Sequence, residues 1–271
     1  MPFSNVESFK EANNFKAKVV LAIKRGKYLI KTATTAQELY DSLKLRHEVF
    51  YKELLQSEAP HGIDIDQFDM LCDHLLIIDT ENDQIVGSYR LNCSLFTDKF
   101  YSSLEFKLDK LTAITGPKVE LGRACIQQDY RNGTVITLLW RGVMDYLVKT
   151  DAHILFGCAS IKTENPREAA MMSRYFLNEG RFNEAFHCPP QESWKLPDFD
   201  KCMIEFNRSL TEEETVHIEE LIPSLCKSYL KAGAFLGGAP AYDKDFKCID
   251  FLTILSMDNL HPKLRSNLLR D

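Results

Sequence analysis

No C-x-x-C pair occurs among the eight cysteines, which stand singly from Cys72 to Cys248. A zinc site and a disulfide framework therefore both lack sequence support, and no metal is expected. Several of these cysteines sit in apolar runs, as in the reduced interior of a cytosolic protein. No stretch approaches 18 continuous apolar residues, and the opening MPFSNVESFKEANNF lacks the apolar core of a signal peptide. The expectation is a cytoplasmic chain that does not span a membrane, with peripheral attachment to the inner face left open. Positive charge is not in excess either. The net charge of −6 argues against nucleic acid as a partner of the whole surface. Internal repeats and low-complexity tracts are absent.

What is present suits a full hydrophobic core, with 271 residues, 45% hydrophobic and 27% charged. KYLIKT at Lys27 reads as a short strand. Thr35 and Glu38 form a capping-box pattern for a helix to about Leu55. HLLIID and QIVGSYRL flank the turn TEND as a β-hairpin. A strand at Val119 leads to a helix at 134–149, HILFGCASI is a buried strand, and a helix follows from Pro166 to Leu177. CMIEF is expected to be a strand, Thr211 and Glu214 to cap one long helix to about Lys231, and CIDFLTIL to be a late strand. A hairpin followed by two strand–helix units predicts an α/β (α+β) fold with a mixed central sheet flanked by helices. The chain divides on this reading into a basic N-terminal extension (1–26), a core (27–209) and a C-terminal helix and strand extension packed on it (210–271).

KVELGRACIQQDYRNGT is the most informative stretch. Val119, Leu121, Ala124, Cys125 and Ile126 read as an interior strand, where Glu120 and Arg123 are costly unless paired or used. Positions three apart face opposite sides of a strand, but a bulge near Gly122 would shift the parity and bring both charges to one cavity. A structural ion pair and a working site both fit this pattern. QQDYRNGT lies beyond the carboxyl end of that strand, where the N-terminus of the following helix suits a phosphate.

Strand, DYRNG and amphipathic helix together resemble the acyl-carrier-binding element of the GNAT N-acyltransferase fold. LRHEVFYKE, DIDQFDMLCDHLLIID, IVGSYRL, VELGRACIQQDYRNG and YLKAGAFLGGAPAYDKDFKCIDFL, spanning nearly the whole chain, are similar to the ornithine-lipid N-acyltransferase branch, often labelled hemolysin-like. The same motifs resemble acyl-homoserine lactone synthases, with Arg46 on the first helix, Asp66 and Asp69 in the loop, Arg90 in the hairpin and Glu120 with Arg123 on the strand.

The resemblance implies an acyltransferase that moves a 3-hydroxyacyl group from acyl carrier protein to the α-amine of an amino acid such as ornithine. Glu120 becomes the candidate base and Arg123 its catalytic neighbour. Arg46, Phe50, Asp66, Asp69 and Arg90 would bind substrate, the arginines holding a carboxylate and the aspartates an ammonium or Arg46 itself. Arg131, Asn132, Gly133 and Thr134 would hold the phosphopantetheine arm. No separate cofactor is implied. General GNAT proteins carry more glycines in this turn, so a single phosphodiester fits better than coenzyme A. Tyr175 is a candidate general acid, one position away from the tyrosine of many GNAT enzymes. Seven cations between Lys10 and Lys31 against Glu11 alone suit an acidic carrier protein or an anionic membrane surface. An autoinducer-type synthase and a catalytically silent binding module are the alternatives.

Overall fold

The computed structural model describes residues 7–260. In chain order come β1 (Ala22–Arg25), β2 (Tyr28–Thr32), α1 (Ala36–Arg46), a π-helix (His47–Leu55), β3 (Asp73–Asp79) and β4 (Gln84–Cys93). Next are α2 (Ser102–Glu105), α3 (Asp109–Ala113), β5 (Lys118–Ile126), α4 (Thr134–Thr150), β6 (Ile154–Ile161) and α5 (Pro166–Asn178). The remainder is α6 (Phe199–Glu205), α7 (Glu212–Leu221), α8 (Ser224–Ala232), β7 (Phe235–Leu236), β8 (Ala241–Asp243) and β9 (Cys248–Ser256).

Two compact units hold these elements, one with residues 7–99 and Pro117–Ala152, the other with Phe100–Gly116 and residues 153–260. In the first unit, β1 to β5 run in chain order, each antiparallel to the next. Strand alternation then divides their side chains between two faces. Leu75, Ile77 and Tyr89 face α4, while His74, Leu76, Arg90 and Asn92 face α1. Helix α4 lies close on its face because Gly142 has no side chain. A Cβ there would come within 2.7 Å of Leu75 and 2.8 Å of Ile30. Thr35 caps α1 by accepting the Glu38 N–H at 3.2 Å, and the Glu38 carboxylate reaches back to the N–H of Thr34 at 2.7 Å.

In the second unit, β9 pairs antiparallel with β6, β7 and β8. Phe176, Met172, Ile161, Phe251 and Ile249 lie at the centre of its core. Two expectations fail here. CMIEF is not a strand but lies in α6, because Phe199, Cys202 and Phe206 are buried at helical spacing while Ile204 points to solvent. The helix after Thr211 does start on a reciprocal capping box with Glu214. It is not continuous to Lys231, however, since Pro223 separates α7 from α8: proline has no N–H to continue a helix and its ring clashes with the preceding turn.

The second half of the basic segment, from Ala22, forms the β1–β2 hairpin, turned at Gly26 with φ of 58°. Part of its charge is spent internally. Lys18 donates to the carbonyls of Met70 and Cys72, Lys27 to Asp79 at 2.7 Å, and Lys31 pairs with Glu38. Lys16, Lys24 and Arg25 remain exposed. No described helix is long and apolar enough to cross a membrane.

Candidate active site

The site grows out of the α1-facing side of β3, β4 and β5. Arg90 pairs with His74 on one neighbouring strand and with Gly122 on the other, and Asn92 pairs with Glu120. Between Ser88↔Cys125 and Arg90↔Gly122 the register slips, so Arg123 and Ala124 together oppose Tyr89. Arg123 takes φ of 53° to make this bulge. The bulge expected at Gly122 therefore falls one residue later, and it has the expected consequence: Arg123 reaches the Arg90 side of the sheet, where Glu120 also lies.

Arg46, the last residue of α1, is fully buried. Its Nε donates to Asp64 Oδ2 at 2.8 Å, and its Nη1 and Nη2 grip Asp69 at 2.6 and 3.3 Å. Arg90 Nη1 donates to both oxygens of Asp66 at 2.7 Å and to Asp69 Oδ1 at 3.1 Å. Arg123 Nη2 donates to Asp66 Oδ2 at 3.2 Å, and its Nε lies 3.5 Å from Asp64 Oδ2. Three guanidiniums thus interlock with three carboxylates. The loop folds back on them, with the Asp66 N–H donating to Asp69 Oδ2 and the Phe68 N–H to Asp66 Oδ1.

Electrostatics follow from this packing. Burial pushes the Asp69 carboxyl upward, but Arg46 and Arg90 outweigh it and hold the group well below the usual carboxylate range. Asp66 is lowered in the same way against burial and the neighbouring Asp69. Burial alone would lower Arg46, yet Asp64 and Asp69 raise it. His74 is fully buried and brought down to about 4, chiefly by burial, so its ring is neutral at pH 7 and its Nε2 meets the Asp69 carbonyl oxygen at 3.0 Å. The rim of the network is Asp66 and Arg123, whose side chains are 23% and 16% exposed.

Glu120 is only 5% exposed. Asn92 Nδ2 donates to its Oε2 at 3.3 Å and to the Lys99 carbonyl oxygen at 2.7 Å. Arg46, Asp66, Asp69, Arg90 and Arg123 come together as one network, with Glu120 on the same face of the sheet. Asp64, Asn92 and His74 belong to this surround, and nothing in the sequence alone assigned the three of them to it. Burial pushes the Cys125 thiol up to about 12, which removes it as a nucleophile at neutral pH.

Phe50, on the π-helix, packs with Leu45, Val49, Cys125 and Ile85. Gly133 ends the QQDYRNGT turn with φ of 89° and, as the N-cap of α4, has no side chain to offer the helix. Asn132 accepts the Thr134 N–H at 3.1 Å. Arg131 is tied to Glu53 on the π-helix at 2.7 Å and to the Ile126 carbonyl oxygen at 2.9 Å. Tyr175 lies on α5 in the other unit, where its hydroxyl donates to Glu219 at 3.1 Å.

Residues 45–141, which carry this network, match the family model described as an acetyltransferase (GNAT) domain. An L-ornithine N(alpha)-acyltransferase of Brucella abortus (strain 2308) is 30% identical over 256 residues, 87% of this chain and 86% of the relative. One from Rhizobium meliloti (strain 1021) is 29% identical, covering 85% of this chain and 80% of the relative. A solved N-acyl amino acid synthase from uncultured soil microbes, FeeM, superposes with a TM-score of 0.48 at 12% identity, over 89% of this chain and 96% of that one.

Proposed function

The chain belongs to the L-ornithine N(alpha)-acyltransferase family, and from that premise we propose that this acyltransferase moves a 3-hydroxyacyl group from acyl carrier protein to the α-amine of ornithine. The reaction is aminolysis of a thioester. The acceptor ammonium first gives a proton to Glu120, directly or through a water, and the freed amine attacks the acyl carbonyl. As the tetrahedral centre collapses, the new C–N bond stays, the C–S bond breaks, and the phosphopantetheine thiolate leaves to take a proton. The carbonyl oxygen becomes an oxyanion on the way, and backbone N–H groups displaced from the ladder by the Arg123 bulge are the donors suited to it.

The observation that carries this reading is the bulge, which brings the Arg123 guanidinium to the face of the sheet that holds the buried Glu120 and Arg90. Asp66 and Arg123, at the rim, suit the two ends of an amino acid: a carboxylate for its ammonium and a guanidinium for its carboxylate. The start of α4 after Gly133, where Asn132 takes only the Thr134 N–H, suits the single phosphodiester of a carrier arm, with Arg131 fixed beside it by Glu53. Holding two reactants in line supplies much of the rest of the acceleration, without a covalent enzyme intermediate. On this reading the enzyme works in the cytoplasm, and Lys16, Lys24 and Arg25 face the acidic carrier.

The test is lipid mass spectrometry of a host lacking aminolipids that expresses either this chain or its Glu120→Gln variant. N-(3-hydroxyacyl)ornithine should accumulate with the first and not the second. Another N-acyl amino acid would replace ornithine as acceptor, and no N-acyl product at all would overturn the reading.

A further inference from the structure

Away from this site, in the second unit, the β8–β9 hairpin gathers an unusual set of side chains. Cys248 and Asp250 stand two apart on β9 and so share a face, and Asp243 on β8 is paired with Cys248. One carboxylate oxygen from each aspartate and the Cys248 Sγ lie within 4.8 Å of one another, and all three residues are buried. Asp243 spends its Oδ1 on the N–H groups of Asp245 and Phe246 at 2.9 Å, which fixes the turn and leaves Oδ2.

A second and independent observation comes from α2. Glu105 is completely buried, and neither of its oxygens has a hydrogen bond of ordinary geometry. It interacts electrostatically with Asp250 and Asp243, and more weakly with the Cys158 and Tyr101 side chains. Three carboxyl groups gathered out of water repel one another unless protons or a cation sit among them. A thiol in the same cluster favours a cation that accepts sulfur as well as oxygen.

We propose that Asp243, Cys248 and Asp250 form a binding site for a thiophilic divalent cation of the zinc class, with Glu105 the buried carboxyl that interacts with it. Three ligands from one short hairpin suit three corners of a tetrahedral site, with the thiolate formed by loss of the Cys248 proton on binding and a water at the fourth corner. The ion would tie β8 to β9 and hold the turn that Asp243 organises. Nothing in this proposal depends on the acyl-transfer reading.

The test is metal analysis of the full-length chain purified without chelator, followed by cobalt titration of the metal-stripped protein. The expected result is about one zinc per chain, and a sulfur-to-cobalt charge-transfer band in the near ultraviolet. Cys248→Ser should abolish that band, Glu105→Gln should weaken cobalt binding about tenfold or more, and millimolar magnesium should not displace the metal. The wild-type titration decides the question even where a variant fails to fold. Absence of both zinc and the cobalt band would overturn the proposal and leave protons as the neutralising charge. A band that survives in Cys248→Ser would equally overturn it.

Discussion

Asn92 and Glu120 face each other across β4 and β5, and the Asn92 amide bridges the Glu120 carboxylate and the Lys99 carbonyl oxygen. The amide thereby fixes where the carboxylate points. Asn92→Asp should turn this donor into a second negative charge and move the acid limb of the kcat/KM profile to higher pH. A merely structural Asn92 would lower Tm and leave that limb in place. Glu120→Gln should fold and lose about 10²–10⁴-fold in turnover, with partial recovery as rising pH supplies free amine. A drop smaller than about fivefold would remove Glu120 from the mechanism.

Arg46 and Asp66 occupy the two ends of the ion network and should fail in different ways. Arg46→Ala strands Asp64 and Asp69 out of water, and a loss of about 3–5 kcal/mol is expected in urea unfolding. Asp66→Asn, at the rim, should cost less stability than Arg46→Ala and raise the acceptor KM about tenfold, the usual worth of a hydrogen bond to a charged group. Equal rises in donor and acceptor KM would defeat the assignment of Asp66 to the acceptor.

Acid should destabilise the first unit earlier than ordinary carboxylates would require. His74 goes from 6.5 in the unfolded chain to about 4 in the fold. A depressed folded value means that its stability is fully present above the unfolded value and is lost as pH falls through the window toward 4. The span corresponds to about 3 kcal/mol. Asp66 and Asp69, also depressed, continue the loss below that window. His74→Gln should flatten the dependence of unfolding free energy on pH between about 6.5 and 4. An unchanged slope would show that the ring is not buried neutral.

Donor choice should show in salt. Long-chain 3-hydroxyacyl carrier protein is expected to outperform the same acyl group on coenzyme A by about tenfold or more, part of it from Lys16, Lys24 and Arg25 meeting an acidic partner. Exposed contacts of this kind are screened, so rising ionic strength should slow the carrier reaction more than the coenzyme A reaction. Equal use of both donors at low salt would contradict the carrier reading.

Glu120 and Arg123 were legible in the sequence because a charge in an apolar strand is expensive and has to be explained. The capped starts of α1 and α7, the TEND hairpin and the spans of β5 and α4 were legible for the same local reasons. Asn92 was not, since only the register of two strands sets it against Glu120. Asp64 had a faint signal, an aspartate two places before Asp66 in a loop already under suspicion. The π-helical turn after Arg46 has no short-range sequence mark. Pro223 is the sequence mark of the break between α7 and α8 that the expectation of one long helix overlooked, and CMIEF misled because its apolar residues satisfy a helix as well as a strand. Glu105, Asp243, Cys248 and Asp250 are separated by too much chain for any spacing rule to join them.

The ion network has one more implication. Alternating guanidiniums and carboxylates, three of each, amount to a small fragment of an ionic crystal, electrically neutral as a whole and closed on every side but the Asp66–Arg123 edge. Such a fragment grows only by units that are themselves neutral pairs. A free amino acid is such a unit, one cation and one anion at fixed separation. A simple amine or an N-blocked acid would meet only one of the two charges at that edge, so on the proposed reading the edge favours the α-ammonium and α-carboxylate pair of a free amino acid.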